Sequence, residues 1–322
     1  MLTSQPKLAI GIDIGGTTTK FGIVTLDGKI IEQDKISSTS HSNIHLFIDE
    51  LYSKLFPLIT KAGGIQQFAG IGVGAPNGNY YTGTIEYAPN LVWKGIIPLT
   101  DLLHQTFKIS VKLTNDANAA AAGEMKYGKA KGIKHFIMIT LGTGVGSGIV
   151  IDGKILLGHD GFAGELGHTI IRHGGRLHKG TGAFGSLEAY ASANGVKQTA
   201  LEFLAEDASN SSLLKNYNPE EINSEIVYEC ALQGDILAKK VFDFTGEILG
   251  EALANFVMFS SPEMIVLFGG LSKAADFILI PTKTSMEKNL LPIFRNKVQL
   301  VFSDLHESDA AILGASALVW EK

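Results

Sequence analysis

The sequence predicts an α/β protein built as two related lobes. Short apolar runs alternate with longer stretches of helical spacing, and glycine-rich polar turns interrupt two of the apolar runs. The two interruptions also match one another. Gly16-Thr17 and Gly22-Ile23-Val24 recur as Gly142-Thr143 and Gly148-Ile149-Val150, in every case 126 residues further on. That separation is too long for a solenoid repeat and suits a duplicated domain.

In order along the chain, residues 8–14 and 21–24 read as the two arms of a β-hairpin, with Asp27-Gly28 turning into a third strand over 29–33. A helix is expected over 43–62, with Leu46, Leu51, Leu55 and Leu58 at roughly helical spacing. Residues 69–73 form a short buried strand, and 109–113 another, followed by Asn115-Asp116 as a capping pair for an alanine-rich helix over 117–126. The second half repeats the opening: an apolar run over 135–141, a polar turn over 142–148, a strand resuming at 149–151 and a hairpin turn at Asp152-Gly153. Residues 242–259 are amphipathic, 264–268 form an apolar strand ending in Gly269-Gly270, and 310–320 form a terminal helix. Residues 206–225, rich in Asn, Ser and acidic side chains, are expected to be an exposed loop. These landmarks divide the chain into an N-terminal lobe, 1–114 with the terminal helix at about 310–322, and a C-terminal lobe, 115–309.

Composition narrows the classes of function. The length of 322 residues suits two domains, and 45% hydrophobic with 18% charged residues is ordinary for a soluble, well-buried protein. A net charge of −5 offers no broad attraction for nucleic acid or an anionic membrane. Cys230 is the only cysteine, so no intrachain disulfide or thiolate-rich metal site can form, which fits a reducing cytoplasm. Neither a signal peptide nor an apolar run long enough to span a membrane is evident.

Asp13-Ile14-Gly15-Gly16-Thr17-Thr18-Thr19-Lys20 joins a carboxylate at a strand end to glycines, hydroxyls and a cation. Glycines let backbone N–H groups approach phosphate oxygens, and the carboxylate suits hydrated Mg²⁺. A plain hairpin turn whose threonines satisfy their own backbone is the other reading. Leu141-Gly142-Thr143-Gly144-Val145-Gly146-Ser147-Gly148 is a second anion cradle. It fails the dinucleotide fingerprint, because Ser147 stands where the third glycine belongs and a strand, not a helix, follows. No GxxxxGK[ST] loop exists. Two glycine-and-threonine hairpins therefore explain the pattern better than either familiar nucleotide fold.

Together with Asn115-Asp116 and Gly164-Glu165-Leu166-Gly167-His168, these hairpins resemble the ROK sugar kinases of the hexokinase–actin superfamily, over residues 10–317. The resemblance implies a two-lobed, actin-like ATPase (ribonuclease H-like) fold, with ATP and a hexose meeting in the interlobe cleft. It implies Asp116 as general base, whose alternative is simple capping of the following helix, and Asn115 as a sugar contact. Asn90, upstream of Trp93, and Glu165, His168 and Glu188 match the family's other sugar-binding positions, although surface carboxylates and a structural histidine are the alternatives. Asp13 would hold Mg²⁺, Gly15, Gly16, Thr17, Thr143 and Gly144 would cradle phosphates, and Gly269, Gly270 and Leu271 would border the adenosine. Lys20 either adds charge there or is a solvated lysine.

One departure stands out. Where the family carries its zinc motif CxCGxxGCxE, this chain has residues 179–188, with Lys179, Thr181 and Ser186 at the cysteine positions. None is a usual zinc ligand, so no zinc is expected. His168, His173 and His178 lie five residues apart, a spacing that puts no two on one helical face, and ordinary hydrogen bonds are expected to hold the loop instead.

The reading that results is a cytoplasmic, ATP- and Mg²⁺-dependent hexose kinase of carbohydrate metabolism and glycolysis, homodimeric by resemblance, with glucose favoured. N-acetylmannosamine, mannose, fructose and allose stay open as substrates, and polyphosphate as donor. The rivals are a sugar-sensing regulator without kinase activity, disfavoured because the first hairpin begins by Leu8 and the charge is negative, and a chaperone-type ATPase.

Overall fold

Where two apolar runs flank a short glycine–threonine turn, the backbone has no better partner for its N–H and C=O groups than the adjacent run, and a hairpin results. β1 (Leu8–Ile14) and β2 (Thr18–Thr25) pair antiparallel in this way in the computed structural model, which describes residues 6–208 and 211–320. β3 (Ile30–Ser37), α1 (Ile44–Lys61), β4 (Phe68–Gly74), the short strands β5 (Ile85–Glu86) and β6 (Ile96–Ile97), α2 (Leu99–Phe107), β7 (Val111–Thr114) and α3 (Asp116–Tyr127) follow. Next come β8 (Phe136–Leu141), β9 (Val145–Ile151), β10 (Lys154–Ile155), α4 (Glu188–Ala191), α5 (Ala193–Glu206) and α6 (Ser224–Leu232). The chain ends with α7 (Ile236–Ser260), β11 (Met264–Phe268), α8 (Asp276–Asn289), β12 (Gln299–Phe302) and α9 (Glu307–Ala317). Residues 209–210, inside the expected loop, and 321–322, beyond the expected terminal helix, lie outside the described residues.

The strands form two five-stranded sheets, ordered β3-β2-β1-β4-β7 and β10-β9-β8-β11-β12. Numbered among its own five strands, each sheet runs third, second, first, fourth, fifth. The 126-residue echo of the two glycine turns thus sits at equivalent places, between β1 and β2 and between β8 and β9. In the first sheet β1, β4 and β7 are parallel, with Asp13 opposite Gly74 and Gly74 opposite Thr114. Their carboxyl ends therefore lie together, which is where open α/β sheets collect ligands.

The chain sorts into two compact units, Met1–Lys134 with Gly148–Gly164 and Ser303–Lys322, and His135–Ser147 with Glu165–Phe302. In the first, Asn43 caps α1 by accepting from the His45 N–H, and the helix buries Phe47, Ile48, Leu51, Leu55 and Ile59. Burial of each such side chain stabilises by roughly 1.5–3 kcal/mol. This stripe corrects the sequence reading in part: Leu46 is exposed, and Phe47 and Ile48 take its place. α9 lies directly on β1 and β4, and does so because Gly11 and Gly72 present no side chain. A Cβ on either would overlap the helix backbone, at the carbonyls of Ile312 and Ala315.

In the second unit α7 passes through the core, burying Val241, Phe242, Ile248, Leu249, Leu253 and Val257 against β8, β11 and the neighbouring helices. The stretch 206–225 is not the wholly exposed loop its composition suggests. Leu214 and Ile222 are fully buried in this core, and Ser212 donates to Asp235 Oδ2 at 2.9 Å. Two apolar anchors outweigh the polar composition around them. Among the described residues no helix is long and apolar enough to cross a membrane.

Candidate active site

The turn after β1 separates its three threonines by role. Thr19 is buried and its Oγ1 lies 2.8 Å from Ser38 Oγ, so it ties β2 to the residue that follows β3. Thr17 is exposed, its carbonyl accepting from the Ser38 N–H at 2.9 Å. Gly15 N–H donates to the Thr18 carbonyl at 3.0 Å, closing the turn. A Cβ on Gly16 would stand 2.9 Å from the Asn90 carbonyl oxygen, so the structure brings Asn90 to this loop. Asn90 is exposed, and nearby Trp93 is anchored, its Nε1–H donating to the His41 carbonyl and its ring centroid 4.5 Å from that of Phe47.

Lys20 stands opposite Asp13 in the β1–β2 register. Two residues beyond the end of β7, Asp116 opens α3. The sequence left Asp116 as base or cap. The structure gives the cap to Asn115, whose Oδ1 accepts from the Asn118 N–H at 2.7 Å, while the Asp116 carboxylate accepts from the Ala117 N–H at 2.9 Å. A Cβ on Gly74 would lie 3.1 Å from Ala119 Cβ, 3.8 Å from Asp116 Cα and 3.9 Å from Asp13 Oδ1, so this glycine lets the start of α3 approach the Asp13 carboxylate.

That crowding shows in their proton affinities. Burial, then the charge of Asp116, pushes the Asp13 carboxyl up to about 6, with Lys20 pulling the other way. Burial also raises Asp116, against the hydrogen bond from Ala117. Asp116 is nonetheless reached by solvent. The two facts agree for a carboxylate that water meets from one side while protein occupies the others.

In the second unit the β8–β9 turn is tighter than the sequence suggests, since β9 begins at Val145 rather than 149. Thr143 is exposed at its tip, and its carbonyl accepts from Asn194 Nδ2 at 3.2 Å. Val145 N–H donates to Glu188 Oε2 at 2.7 Å, and a Cβ on Gly144 would overlap that same oxygen. Glu188 is therefore seated on the turn. Glu165 and His168 flank a short 3₁₀ turn, Oε2 to Nε2 at 3.9 Å, both open to solvent. Gly269, at φ 103, abuts the end of β8, where a Cβ would be 2.6 Å from the Leu141 carbonyl. Gly270 has open space around it. Leu271 is 3% exposed, so only its backbone is available to a ligand.

Sequence reading missed His178 as a member of this cluster. His178 Nε2 lies 2.7 Å from Glu188 Oε1, and its ring centroid is 5.9 Å from that of His168. His173 is exposed and takes no part. Spacing along the chain could not reveal this, because a hairpin fold, not a helix, brings 178 back to 188.

His168, His178 and Glu188 each offer an atom within 4.8 Å of the others, which is the geometry of a potential metal group. The thiolate set of the related zinc motif is not present, since Lys179, Thr181 and Ser186 replace it. The 2.7 Å approach of His178 Nε2 to Glu188 Oε1 is an ion-pair contact, shorter than two ligands of one tetrahedral ion would stand at zinc bond lengths of about 2.0–2.1 Å. The residues present do not fit that zinc site. Asp13, by contrast, fits a hydrated Mg²⁺: an oxygen ligand at a strand end whose own charge is disfavoured until a cation arrives.

Strand order and the solved structures it matches make this an actin-like ATPase fold. More narrowly, the chain belongs to the ROK family, whose model matches residues 9–322. It is 36% identical over 313 residues to a glucokinase of Halalkalibacterium halodurans, covering 96% of this chain and 94% of that protein. It is 31% identical over 320 residues to a glucokinase of Thermotoga maritima, covering 99% of each. Among solved structures it is similar to a ROK family glucokinase from Streptomyces griseus in complex with glucose and AMPPNP, with 30% identity, 97% and 98% coverage and a TM-score of 0.77. These likenesses support a sugar kinase.

Proposed function

We propose that the protein is an ATP-dependent hexose kinase, with glucose its favoured substrate and Asp116 its general base. The observation that carries this reading is the Asp116 carboxylate. It is freed from capping by Asn115, reached by solvent, raised in proton affinity and placed at the carboxyl end of the parallel strands beside Asp13. Besides the Ala117 N–H that it accepts, the carboxylate is open to solvent, so it can take a proton.

A sugar hydroxyl oxygen attacks the γ-phosphorus of ATP, the bond to the β–γ bridging oxygen breaks, and ADP leaves with that electron pair. The proton of the hydroxyl passes to Asp116, whose raised affinity improves the match to a weakly acidic donor. Asn115, with its carbonyl oxygen spent on the cap, keeps its amide N–H groups for a neighbouring hydroxyl. Glu165, His168, Glu188 and Asn90 bind the remaining hydroxyls, carboxylates being suited because each accepts two hydrogen bonds in a fixed orientation. The backbone at Gly15, Gly16, Thr17, Thr143 and Gly144 cradles phosphate oxygens, Lys20 adds charge, and Gly269–Leu271 backs the nucleotide. Mg²⁺ held through Asp13 would neutralise charge on the transferring group. A homodimer and a cytoplasmic setting belong to the same reading.

The test is a coupled ADP-release assay over glucose, mannose, fructose, allose and N-acetylmannosamine, with ATP and then polyphosphate as donor. Sugar-dependent ADP release, greatest with glucose, supports the reading. A chain that binds sugar without releasing ADP is a sensor, and one that releases ADP regardless of sugar is a different ATPase.

A further inference from the structure

The loop between His168 and Glu188 keeps its shape without thiolates, and the means are visible. It folds back on itself as an irregular hairpin: Leu177 bridges Phe184, Ile170 bridges Ser186, and Gly185 N–H donates to the Arg176 carbonyl at 2.8 Å. Two arginines tie it down. Arg172 pairs with Glu251 on α7, and Arg176 pairs with Glu202 on α5 with its guanidinium 4.6 Å from the Tyr190 ring centroid. At the tip, His178 N–H donates to the Ala183 carbonyl and the Gly182 N–H donates to the His178 carbonyl, both at 2.8 Å. The hairpin thus has one backbone-locked histidine.

That histidine points at one group. Nε2 meets Glu188 Oε1 at 2.7 Å, and Nδ1 lies 2.8 Å from Thr181 Oγ1. Nε2 stands at ion-pair distance from the carboxylate, charged when the ring carries both protons, while the threonine hydroxyl can serve Nδ1 as donor or acceptor. Since Val145 N–H already holds Glu188 Oε2, each of the two carboxylate oxygens has its own protein partner. Each still has a lone pair for an incoming hydroxyl. The pair is largely shielded, with 21% and 14% of its side-chain surface exposed, so solvent screens it less than it would a surface contact.

We propose that His178 is a positioning residue for sugar recognition: held by Thr181, it fixes the carboxylate of Glu188 in the orientation that binds the sugar. The proposal rests on the kinase reading and on Glu188 as a sugar contact. An acceptor already immobilised loses less freedom when the sugar arrives, so its effect falls on binding rather than on phosphoryl transfer. Thr181, at one of the former cysteine positions, thereby has a role that a zinc ligand would otherwise fill.

The experiment compares wild type, His178→Ala, His178→Gln, Thr181→Val and Glu188→Gln with glucose as the probe. Steady-state kinetics are combined with calorimetric titration of glucose in a chelating buffer without nucleotide. His178→Ala is expected to raise the glucose KM and Kd about tenfold, with kcat and the KM for ATP changed by less than about threefold. His178→Gln, whose amide N–H reaches the place of Nε2, recovers most of the loss, and Thr181→Val gives a smaller loss of about threefold. If His178→Ala does not fold, Thr181→Val carries the test. An unchanged glucose KM in both, or a loss spread equally over kcat and the ATP KM, overturns the proposal. So does purified protein carrying stoichiometric zinc whose removal reproduces His178→Ala, because the histidine would then be a ligand. When Glu188→Gln weakens glucose and the histidine variants do not, the kinase reading survives and this inference falls. When wild type neither binds nor phosphorylates glucose, both fall.

Discussion

Asp13 Oδ1, near the end of β1, and the Asp116 Cα, just past the end of β7, both border the place a Cβ on Gly74 would take, and the charge of Asp116 raises the cost of a charge on Asp13. Two carboxylates so placed can divide their work. One favours a cation and the other favours a proton.

Replacing Asp116 with Asn keeps the shape and removes the proton acceptor. Turnover should fall by about 10²–10⁴-fold while the sugar Kd changes little. Calorimetry beside the coupled assay measures both, and near-normal turnover would refute the assigned base.

The pH profile of kcat/KM follows from the raised affinity of Asp116. The base must be ionised to act, so activity is lost as pH falls through its folded-state value. Burial moves this acidic limb above the ordinary aspartate position of 3.8. A limb at or below that position, in wild type corrected for unfolding, would contradict the burial argument.

Asp13 makes an opposite prediction for stability. Its carboxyl, at about 6 when folded against an ordinary aspartate value of 3.8, binds more protons in the folded state at intermediate pH. Ligand-free protein should therefore lose stability as pH rises from 3.8 to about 6, and hold level above. Asp13→Asn abolishes this loss, raising stability at pH 7 by about 1–3 kcal/mol in urea titrations while turnover drops. A variant less stable than wild type at neutral pH would sink the claim.

Two glycine substitutions separate function from folding. Gly144→Ala meets the end of the Glu188 side chain, which can swing aside, so the protein should fold normally with a sugar KM raised about tenfold. Gly72→Ala meets the Ala315 carbonyl of α9, which is backbone and cannot, and should cost about 1–3 kcal/mol or more of stability. Thermal melts and kinetics on the pair show whether the two effects separate.

Much of this was legible from residues alone. The Gly16-Thr17 and Gly142-Thr143 turns, the strand ending at Gly269 and the Asn115–Asp116 corner all rest on local rules of turns and caps, and the structure has each element in place. Leu46 was misjudged because helical spacing finds a face without saying which neighbours it meets. Residues 206–225 were misjudged because a few apolar anchors, Leu214 and Ile222, are invisible in an average composition.

Sequence alone specified the two glycine-turn hairpins, α1, β4, β7, α3, most of α7, β11 and the terminal helix, and the chemical types at the two turns, since these depend on neighbours within a few residues. Tertiary structure decided which oxygens are free. It assigned the cap to Asn115 and left Asp116 open, set Asp13 against Asp116 beside Gly74, and folded a hairpin that carries His178 to Glu188. Those outcomes depend on register and close approach between distant segments, which no local spacing encodes.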